Sequence, residues 1–260
     1  MPQNFAIICD CDNTLMDDTT SLLLSDNGIN VDLFWDEISD TVKLGWDPPL
    51  AWMTKIAKLI KQGKISQDTN AKLAEFGKKI TPFPGATEFL TQINESLAKE
   101  HDISVKGYVV SCGIESLMQG TILSESFTDI FGSSFYEEND MIVGVKSSIT
   151  FTEKTKFVYA INKGVSDIRE EPYNVNTFAE EEKRRIPFES MIYLGDGASD
   201  IPCFSMIKNN GGHCFAIDID SKWHKGFELE RRKREISAFE PDYTEGSDLR
   251  KELEKIICET

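Results

Sequence analysis

The chain has 260 residues, of which 40% are hydrophobic and 28% are charged, and its formal net charge is −16. These proportions are ordinary for a globular protein in water, and the length suits one large domain with an insert or two modest domains. The excess of acidic side chains would repel the phosphates of a nucleic acid and the surface of an anionic membrane. We therefore expect neither as a partner.

The cysteines and the N-terminus indicate the compartment. The six cysteines are Cys9, Cys11, Cys112, Cys203, Cys214 and Cys258. They lack the CxxC spacing of a metal site, and we expect them to be reduced thiols. The first residues lack the basic and apolar segments of a secretory signal, and no apolar run is long enough to span a membrane. We expect a cytoplasmic protein.

The first predicted element is a short apolar strand that begins near Phe5 and ends at Asp10. A second carboxylate, Asp12, follows after one residue. Aspartate is a poor strand former and is rarely buried without a partner. Ligands of open parallel sheets bind at the carboxyl ends of the strands, where this pair falls. The pair therefore predicts a bound cation or a reaction at this end of the sheet.

The sequence from residue 16 to residue 80 shows helical rather than strand spacing. Residues 32–52 and 51–61 predict helices, with Pro48 and Pro49 between them, and residues 66–79 predict another, capped by Ser66 or Asp68. We expect these residues to form a small α-helical domain. It would be inserted into a core made of residues 1–15 and 81–260.

Strands and helices alternate in the rest of the chain. A helix is predicted over 86–99, a strand over 105–110, a hairpin formed by 131–135 and 141–145, a helix after residue 153 and a strand over 190–194. This order predicts an α/β fold with a doubly wound parallel sheet. The polar stretch 165–187 is predicted to be a solvated helix or a surface excursion, and residues 230–234 a solvated helix face.

The motifs at the strand ends resemble those of the haloacid dehalogenase (HAD) superfamily, most of whose members are phosphatases. The resemblance extends over essentially the whole chain, because four motifs occur in the family's order. These are Asp10-Cys11-Asp12-Asn13-Thr14, then Ser111, then Lys154 or Lys156, then Gly195-Asp196-Gly197-Ala198-Ser199-Asp200. The hairpin ahead of the lysine resembles the phosphoserine-phosphatase-like branch, in which a helical insert, the C1 cap, closes over the site.

The resemblance implies a Mg²⁺-dependent phosphatase that hydrolyses a small phosphorylated metabolite through an aspartyl-phosphate. Asp10 would be the nucleophile and Asp12 the general acid and base. The functional lysine would be Lys154, because aligning the apolar pattern of its helix with the family helix places Lys156 toward solvent. The implied metal ligands are Asp10, the backbone carbonyl of Asp12, Asp196 and Asp200. The implied phosphate-binding groups are Ser111, Cys112 and Gly113.

Specificity is where this chain departs from the phosphoserine phosphatases. Their motif is followed by a glutamate that meets the substrate's amino group, whereas this chain has Asp17, Asp18, Thr19 and Thr20 there. We take residues 17–20, among them Thr19 and Thr20, and the loop tryptophan Trp46 as candidates for binding the leaving group. Asp17 or Asp18 could also replace the missing glutamate by binding an amine. Helical spacing assigns the other aromatic side chains of the insert to its core. We expect a neutral or hydroxyl-bearing leaving group and poor turnover of phosphoserine.

Three further alternatives stay open at this point. The same intermediate could be passed to an alcohol other than water by a phosphotransferase. The fold could also serve a non-catalytic regulator that binds a phosphorylated metabolite, although every catalytic residue type is present. Cys11 could be a small packing residue or a redox switch. The sequence names neither the phosphate ester nor the oligomeric state.

Overall fold

The structure is a computed structural model. It describes residues 3–180, 183–218, 231–234 and 236–259, and for residues 98–101 it describes the backbone alone. Seven strands form one sheet in the order β4-β3-β2-β1-β5-β6-β7. The strands are β1 (Gln3–Cys9), β2 (Ile103–Ile114), β3 (Asp129–Glu138), β4 (Met141–Ser147), β5 (Met191–Gly195), β6 (His213–Ile217) and β7 (Ser237–Phe239).

Nine α-helices accompany the sheet within the described residues. They are α1 (Thr19–Asp26), α2 (Val31–Lys43), α3 (Pro48–Lys61), α4 (Asn70–Gly77), α5 (Phe89–His101), α6 (Glu115–Gly120), α7 (Glu153–Lys163), α8 (Ile201–Asn209) and α9 (Asp248–Glu259). In the part of the chain that is described, no helix is both long enough and apolar enough to cross a lipid bilayer.

The predicted α/β fold is confirmed. All neighbouring strands are parallel except β3 and β4, which form the predicted antiparallel hairpin. The two faces of β1 alternate as a strand requires: Phe5 and Ile7 belong to one apolar cluster, and Ala6 and Ile8 belong to another on the opposite face. Helices cover both faces, so β1 is buried at the centre of the molecule.

The helices α1–α4 lie between β1 and β2 in the chain. The chain leaves the core and returns to it side by side, because Met16 and Pro82 form an antiparallel bridge. Phe34 of α2 and Trp52 of α3 belong to the same apolar cluster as Ile7 of β1. The insert and the sheet are therefore packed against each other.

Several details of the insert differ from the sequence prediction. The predicted helix 32–52 ends at Lys43, and Pro48 and Pro49 begin α3 rather than separating two helices, because proline is tolerated in the first turn.

The predicted third helix is shorter than residues 66–79, and its cap is neither Ser66 nor Asp68. Thr69 caps α4, because its hydroxyl accepts a hydrogen bond from the Lys72 amide at 3.1 Å. The prediction also missed α1, whose N-cap is Asp18: this carboxylate accepts a hydrogen bond from the Ser21 amide at 3.0 Å.

The polar stretch 165–187 is a surface excursion rather than a helix, apart from a 3₁₀ turn at Pro172–Asn176, and residues 181–182 lie outside the described part. Two isoleucines, Ile168 and Ile186, anchor it in the core. Arg169 holds it through Asp129, at 2.8 Å, and Glu115, at 3.2 Å. In the predicted helix face at 230–234, residue 230 lies outside the described part, and residues 231–234 form a turn of helix that is half-buried at its two ends.

The insert also contacts the core through two glycines. A Cβ at Gly77 of α4 would lie 2.1 Å from the Leu117 carbonyl oxygen, and a Cβ at Gly120 of α6 would lie 1.9 Å from the Ala74 carbonyl oxygen. Side chains at these positions would separate α4 from α6. The missing Cβ atoms therefore let the two helices approach backbone to backbone.

We expect Gly120→Ala to lower the free energy of unfolding by about 1–3 kcal/mol, because the added methyl group overpacks this contact. Thermal unfolding followed by circular dichroism measures the change. The matched control is Gly144→Ala in β4, where an added Cβ meets nothing within 4 Å. Equal unfolding temperatures for the two variants would contradict this role of Gly120.

Candidate active site

The candidate site lies at the carboxyl ends of three adjacent strands, β2, β1 and β5. Asp10 follows β1, Ser111 lies near the C-terminal end of β2, and Asp196 follows β5. The strands are parallel, so their ends meet at one edge of the sheet. A cavity of about 190 Å³ opens there. It is lined by Asp10, Asp12, Asn13, Asp18, Thr20, Trp35, Trp52, Ser111, Cys112, Gly113, Asp196, Gly197 and Ser199.

Lys154 is fully buried behind this cavity, at the first turn of α7. Its ammonium group donates hydrogen bonds to Asp10 Oδ2 and to Asp200 Oδ1, each at 2.7 Å. Burial lowers the pKa of Lys154, but the charges of Asp10 and Asp200 outweigh that effect and raise it well above the ordinary value. Lys154 therefore stays charged. Lys156 points elsewhere: it pairs with Glu153 and remains partly exposed.

Asp200 is held by three donors. Besides Lys154, the Tyr193 hydroxyl donates to its Oδ1 at 2.8 Å, and the Gly197 amide donates to its Oδ2 at 3.1 Å. Burial raises the pKa of Asp200 to about 7, although Lys154 acts in the opposite direction. Its carboxylate packs against Gly195, where a Cβ would lie 2.4 Å from the carboxyl carbon. Only glycine leaves that space.

Three carboxylates could hold a metal ion. Asp10, Asp196 and Asp200 are buried, and one carboxylate oxygen from each lies within 4.8 Å of the others. Carboxylate oxygens are the ligands that Mg²⁺ prefers, and Mg²⁺ completes its octahedron with water and substrate oxygens. The donor set fits such an ion. The side chain of Asp12 is not part of this trio, which leaves it free for another task.

The turn after β1 directs Asp12 toward the insert. Asn13 has a φ of 55°, so the chain turns sharply after Asp12. Asp12 Oδ1 accepts a hydrogen bond from the Thr19 amide, at the start of α1, at 2.8 Å. Burial raises the pKa of Asp12 well above the ordinary value, and the charge of Asp18 adds to the effect. Asp12 is thus placed to carry a proton.

The strand β2 continues further than predicted, through Ser111 and Gly113 to Ile114, with an irregular register toward β3 between Val110 and Ile114. The Ser111 hydroxyl accepts a hydrogen bond from the Gly113 amide at 3.1 Å. A Cβ at Gly113 would lie 2.9 Å from Asp12 Oδ2, so glycine lets the two motifs approach each other. Ser111, Cys112 and Gly113, the predicted phosphate-binding residues, all line the cavity.

The predicted specificity residues are placed differently from expectation. Thr20 lines the cavity, but Thr19 is buried beside it and contributes its amide to Asp12. Trp46 does not line this cavity. It is 46% exposed and lines a separate groove on the insert, with Lys55 and Lys58 among its neighbours. Trp46 lies in the loop that follows α2, whereas the residues near the start of α2 face the catalytic edge.

Trp35 and Trp52 line the cavity, although helical spacing assigned them to the core of the insert. Trp52 is both a core residue and a cavity residue, because it is 7% exposed and packs in the apolar cluster while still reaching the cavity wall. Asp18, one of the two aspartates that could replace the missing glutamate, lines the cavity as well. Its position before Thr19-Thr20 is an ordinary helix-cap pattern that could have indicated α1.

Cys11 is fully buried between the two motif aspartates. Burial raises the pKa of its thiol well above the ordinary value, and the charge of Asp12 adds to the effect. Since thiolate is the reactive form, this environment favours a packing residue over a redox switch. All six cysteines, each of them within the described ranges, are free thiols.

One supporting residue was missed from the sequence. The hydroxyl of Tyr243 donates a hydrogen bond to the Thr14 carbonyl oxygen at 2.8 Å, and its ring packs against Phe89 at a centroid distance of 5.1 Å. Tyr243 lies far along the chain from the motif and is fully buried. It ties the C-terminal segment to the catalytic turn, which no local pattern would indicate.

Comparisons with known proteins place this geometry in context. No family model matches the chain. A curated protein of Borreliella burgdorferi, described as uncharacterized, is 25% identical over 282 aligned positions, which cover 97% of this chain and 96% of that protein.

Solved structures resemble the chain over nearly its whole length. A phospho-aspartyl intermediate analogue of phosphoserine phosphatase superposes with a TM-score of 0.58 at 20% identity, covering 97% of this chain and 99% of that one. A substrate-bound phosphoserine phosphatase gives 0.55 at 19% identity, covering 98% and 99%. A HAD family hydrolase from Salmonella enterica serovar Typhi gives 0.59 at 16% identity, covering 93% and 69%. The chain therefore has the HAD-like fold of the phosphoserine phosphatases, as its motifs predicted.

Proposed function

We propose that this protein is a Mg²⁺-dependent phosphatase that hydrolyses a small phosphate monoester through an aspartyl-phosphate on Asp10. The proposal rests mainly on the position of Lys154. Its buried ammonium group is hydrogen-bonded to Asp10 and Asp200, which together with Asp196 form the candidate metal site. A buried ammonium group between two carboxylates is costly to assemble, and removing one partner is strongly destabilising. The solved phosphatases that share the fold support the same reaction class.

The first step is the attack of an Asp10 carboxylate oxygen on phosphorus. A bond forms between that oxygen and phosphorus while the bond from phosphorus to the ester oxygen breaks. Asp12 donates its proton to the departing ester oxygen, so the leaving group departs as an alcohol. Its raised pKa supports this role, because burial favours the protonated form of the carboxyl that a general acid must supply.

The second step reverses the role of Asp12. The carboxylate takes a proton from a water molecule as the water oxygen attacks the phosphorus of the aspartyl-phosphate. The bond between phosphorus and Asp10 breaks, inorganic phosphate leaves, and both aspartates return to their starting states. The Thr19 amide holds Asp12 in one orientation in both steps.

Positive charge at the site must overcome the repulsion between carboxylates and a phosphate dianion, since the whole chain carries a net charge of −16. A divalent cation held by Asp10, Asp196 and Asp200 would supply most of that charge. Lys154 supplies the rest from behind Asp10. Ser111, Cys112 and Gly113 line the same cavity, and the Ser111 hydroxyl and the Cys112 amide would bind phosphate oxygens, joined by the Gly113 amide if it gave up its bond to Ser111.

The free thiols support a reducing compartment, and we propose the cytoplasm on that ground.

We expect Asp10→Asn to lower kcat by about 10³-fold or more, because it removes the nucleophile. Phosphate release from small phosphate esters in the presence of Mg²⁺ measures the activity, and circular dichroism checks the fold. The control is Asp17→Asn, since Asp17 is an exposed carboxylate close to the same motif. A well-folded Asp10→Asn protein with ordinary activity would refute the proposed function.

We expect Lys154→Met to reduce kcat/KM by about 10²-fold or more, because it removes the charge beside Asp10 and keeps the buried stem. Lys156→Met is the matched control, and we expect its kcat/KM to stay within about twofold of the parent protein. Steady-state kinetics on the same ester decides between them. A larger loss for Lys156→Met would show that the two lysines have been assigned the wrong roles.

We expect chelation of divalent cations to abolish activity, Mg²⁺ to restore it and Ca²⁺ to inhibit. Ca²⁺ accepts more ligands in a looser geometry and could bind both oxygens of Asp10, which would occupy the attacking lone pair. Activity assays after exhaustive dialysis against a chelator, with each cation added back, test this. Undiminished turnover in the chelated protein would exclude the metal site.

A further inference from the structure

Four side chains of the catalytic cavity take no part in the proposed chemistry. Asp18, Thr20, Trp35 and Trp52 line the cavity, and all four belong to the insert, whereas the proposed phosphate-binding and metal-binding groups belong to the core. An ester whose phosphate contacts Ser111 and Asp10 would direct its leaving group toward these insert side chains.

The two tryptophans form a corner. Their ring centroids are 6.5 Å apart and their planes are inclined at 68°, so the rings meet as two walls rather than as a stack. The position of Trp35 is fixed, because its indole N–H donates to the Ser21 hydroxyl at 2.9 Å and its ring packs edge-on against Phe34 at 5.2 Å. Both tryptophans line the cavity, and a cation that contacted the electron-rich face of either ring would be attracted to it.

Asp18 adds a negative charge to the part of the cavity that the insert lines. The Ser21 hydroxyl donates to Asp18 Oδ2 at 2.7 Å and the Ser21 amide to Oδ1 at 3.0 Å. Both donors are neutral, so they orient the carboxylate without cancelling its charge. Four carboxylates and no lysine or arginine are among the described residues that line the cavity.

The carboxylates at the cavity differ in their positively charged partners. The metal ion would offset Asp10 and Asp196, and the buried Lys154 already pairs with Asp10 and Asp200. Asp18 then faces the leaving group with no cationic side chain beside it among those lining the cavity. A leaving group that bears a carboxylate would be repelled, whereas a cationic nitrogen would be attracted.

The cavity has a volume of about 190 Å³ and opens to solvent, and a phosphate group with a leaving group of a few heavy atoms fits within it.

We propose that the substrate is the phosphate monoester of a small alcohol that carries a cationic nitrogen and no carboxylate. The nitrogen lies between Asp18 and the corner formed by Trp35 and Trp52. This inference rests on the proposed phosphatase activity and replaces the neutral leaving group that Thr19, Thr20 and Trp46 suggested. It differs from phosphoserine recognition in lacking any partner for the substrate's carboxylate.

The test compares phosphocholine with 3,3-dimethylbutyl phosphate, in which carbon replaces the charged nitrogen and the shape is unchanged. Ethanolamine phosphate and phosphoserine form a second pair, which differs by the carboxylate. We expect kcat/KM to be at least about tenfold higher for the cationic member of the first pair, and for the member without the carboxylate in the second. Equal values within the first pair would overturn the inference.

Substitutions at two positions, Asp18 and Trp35, identify the groups responsible for the preference for a cationic leaving group. Asp18→Asn keeps the helix cap, because asparagine caps as well as aspartate, and removes only the charge. Trp35→Leu removes the aromatic wall, whereas Trp35→Phe keeps a ring there. We expect Asp18→Asn and Trp35→Leu each to reduce the preference for phosphocholine over its neutral isostere by about fivefold or more, and Trp35→Phe to preserve most of it. Trp46→Leu, outside the cavity, is the control and should leave the preference unchanged.

Failure of this inference is distinguishable from failure of the proposed function. Turnover of both phosphocholine and its isostere at equal rates, lost in Asp10→Asn, would leave a phosphatase without cation selectivity. If no ester is turned over, calorimetric titration of choline and of 3,3-dimethylbutanol into the protein with Mg²⁺ and inorganic phosphate decides the inference alone. Tighter binding of choline, weakened by Asp18→Asn, supports it, and equal binding of the two alcohols overturns it.

Discussion

The buried ion pairs of Lys154 constrain the rest of the site. A fully buried ammonium group is tolerated only where carboxylates surround it, and Asp10 and Asp200 do so from two different strand ends. Both carboxylates must therefore stay within hydrogen-bond reach of the first turn of α7. Gly195 makes this possible on one side, because any larger residue there would displace Asp200. The phosphate-binding strand ends are positioned around this arrangement.

The insert completes the site rather than merely covering it. The Thr19 amide, at the start of α1, binds the carboxylate of Asp12, so the proposed general acid is oriented by the insert while its backbone belongs to the core. The shared apolar cluster and the close contact at Gly120 hold the two parts together. Core and insert therefore both line the resulting cavity.

Charge is distributed unevenly in this molecule, and that distribution shapes its chemistry. A chain with a net charge of −16 repels phosphate esters at a distance, and attraction begins only where Lys154 and a divalent cation act at short range. Asp18 adds a carboxylate to the part of the cavity that the insert lines. The substrate that we propose, with an anionic phosphate and a cationic leaving group, would match both the positive charge at the phosphate and this carboxylate.

The sequence by itself predicted the α/β fold, because apolar strands alternate with helices and those that lead to Asp10 and Asp196 end directly in polar motifs; it did not predict α1 or the last two strands. The solved structures show the same fold. Only the tertiary structure decided which tryptophans reach the cavity, since helical periodicity marks an apolar face without showing whether it packs on the sheet or lines a site. Trp35 and Trp46 share an insert and a residue type, yet only Trp35 lies near the catalytic edge. The contact between Tyr243 and Thr14 likewise joins segments far apart in the chain, and such long-range contacts leave no local pattern from which they could be predicted.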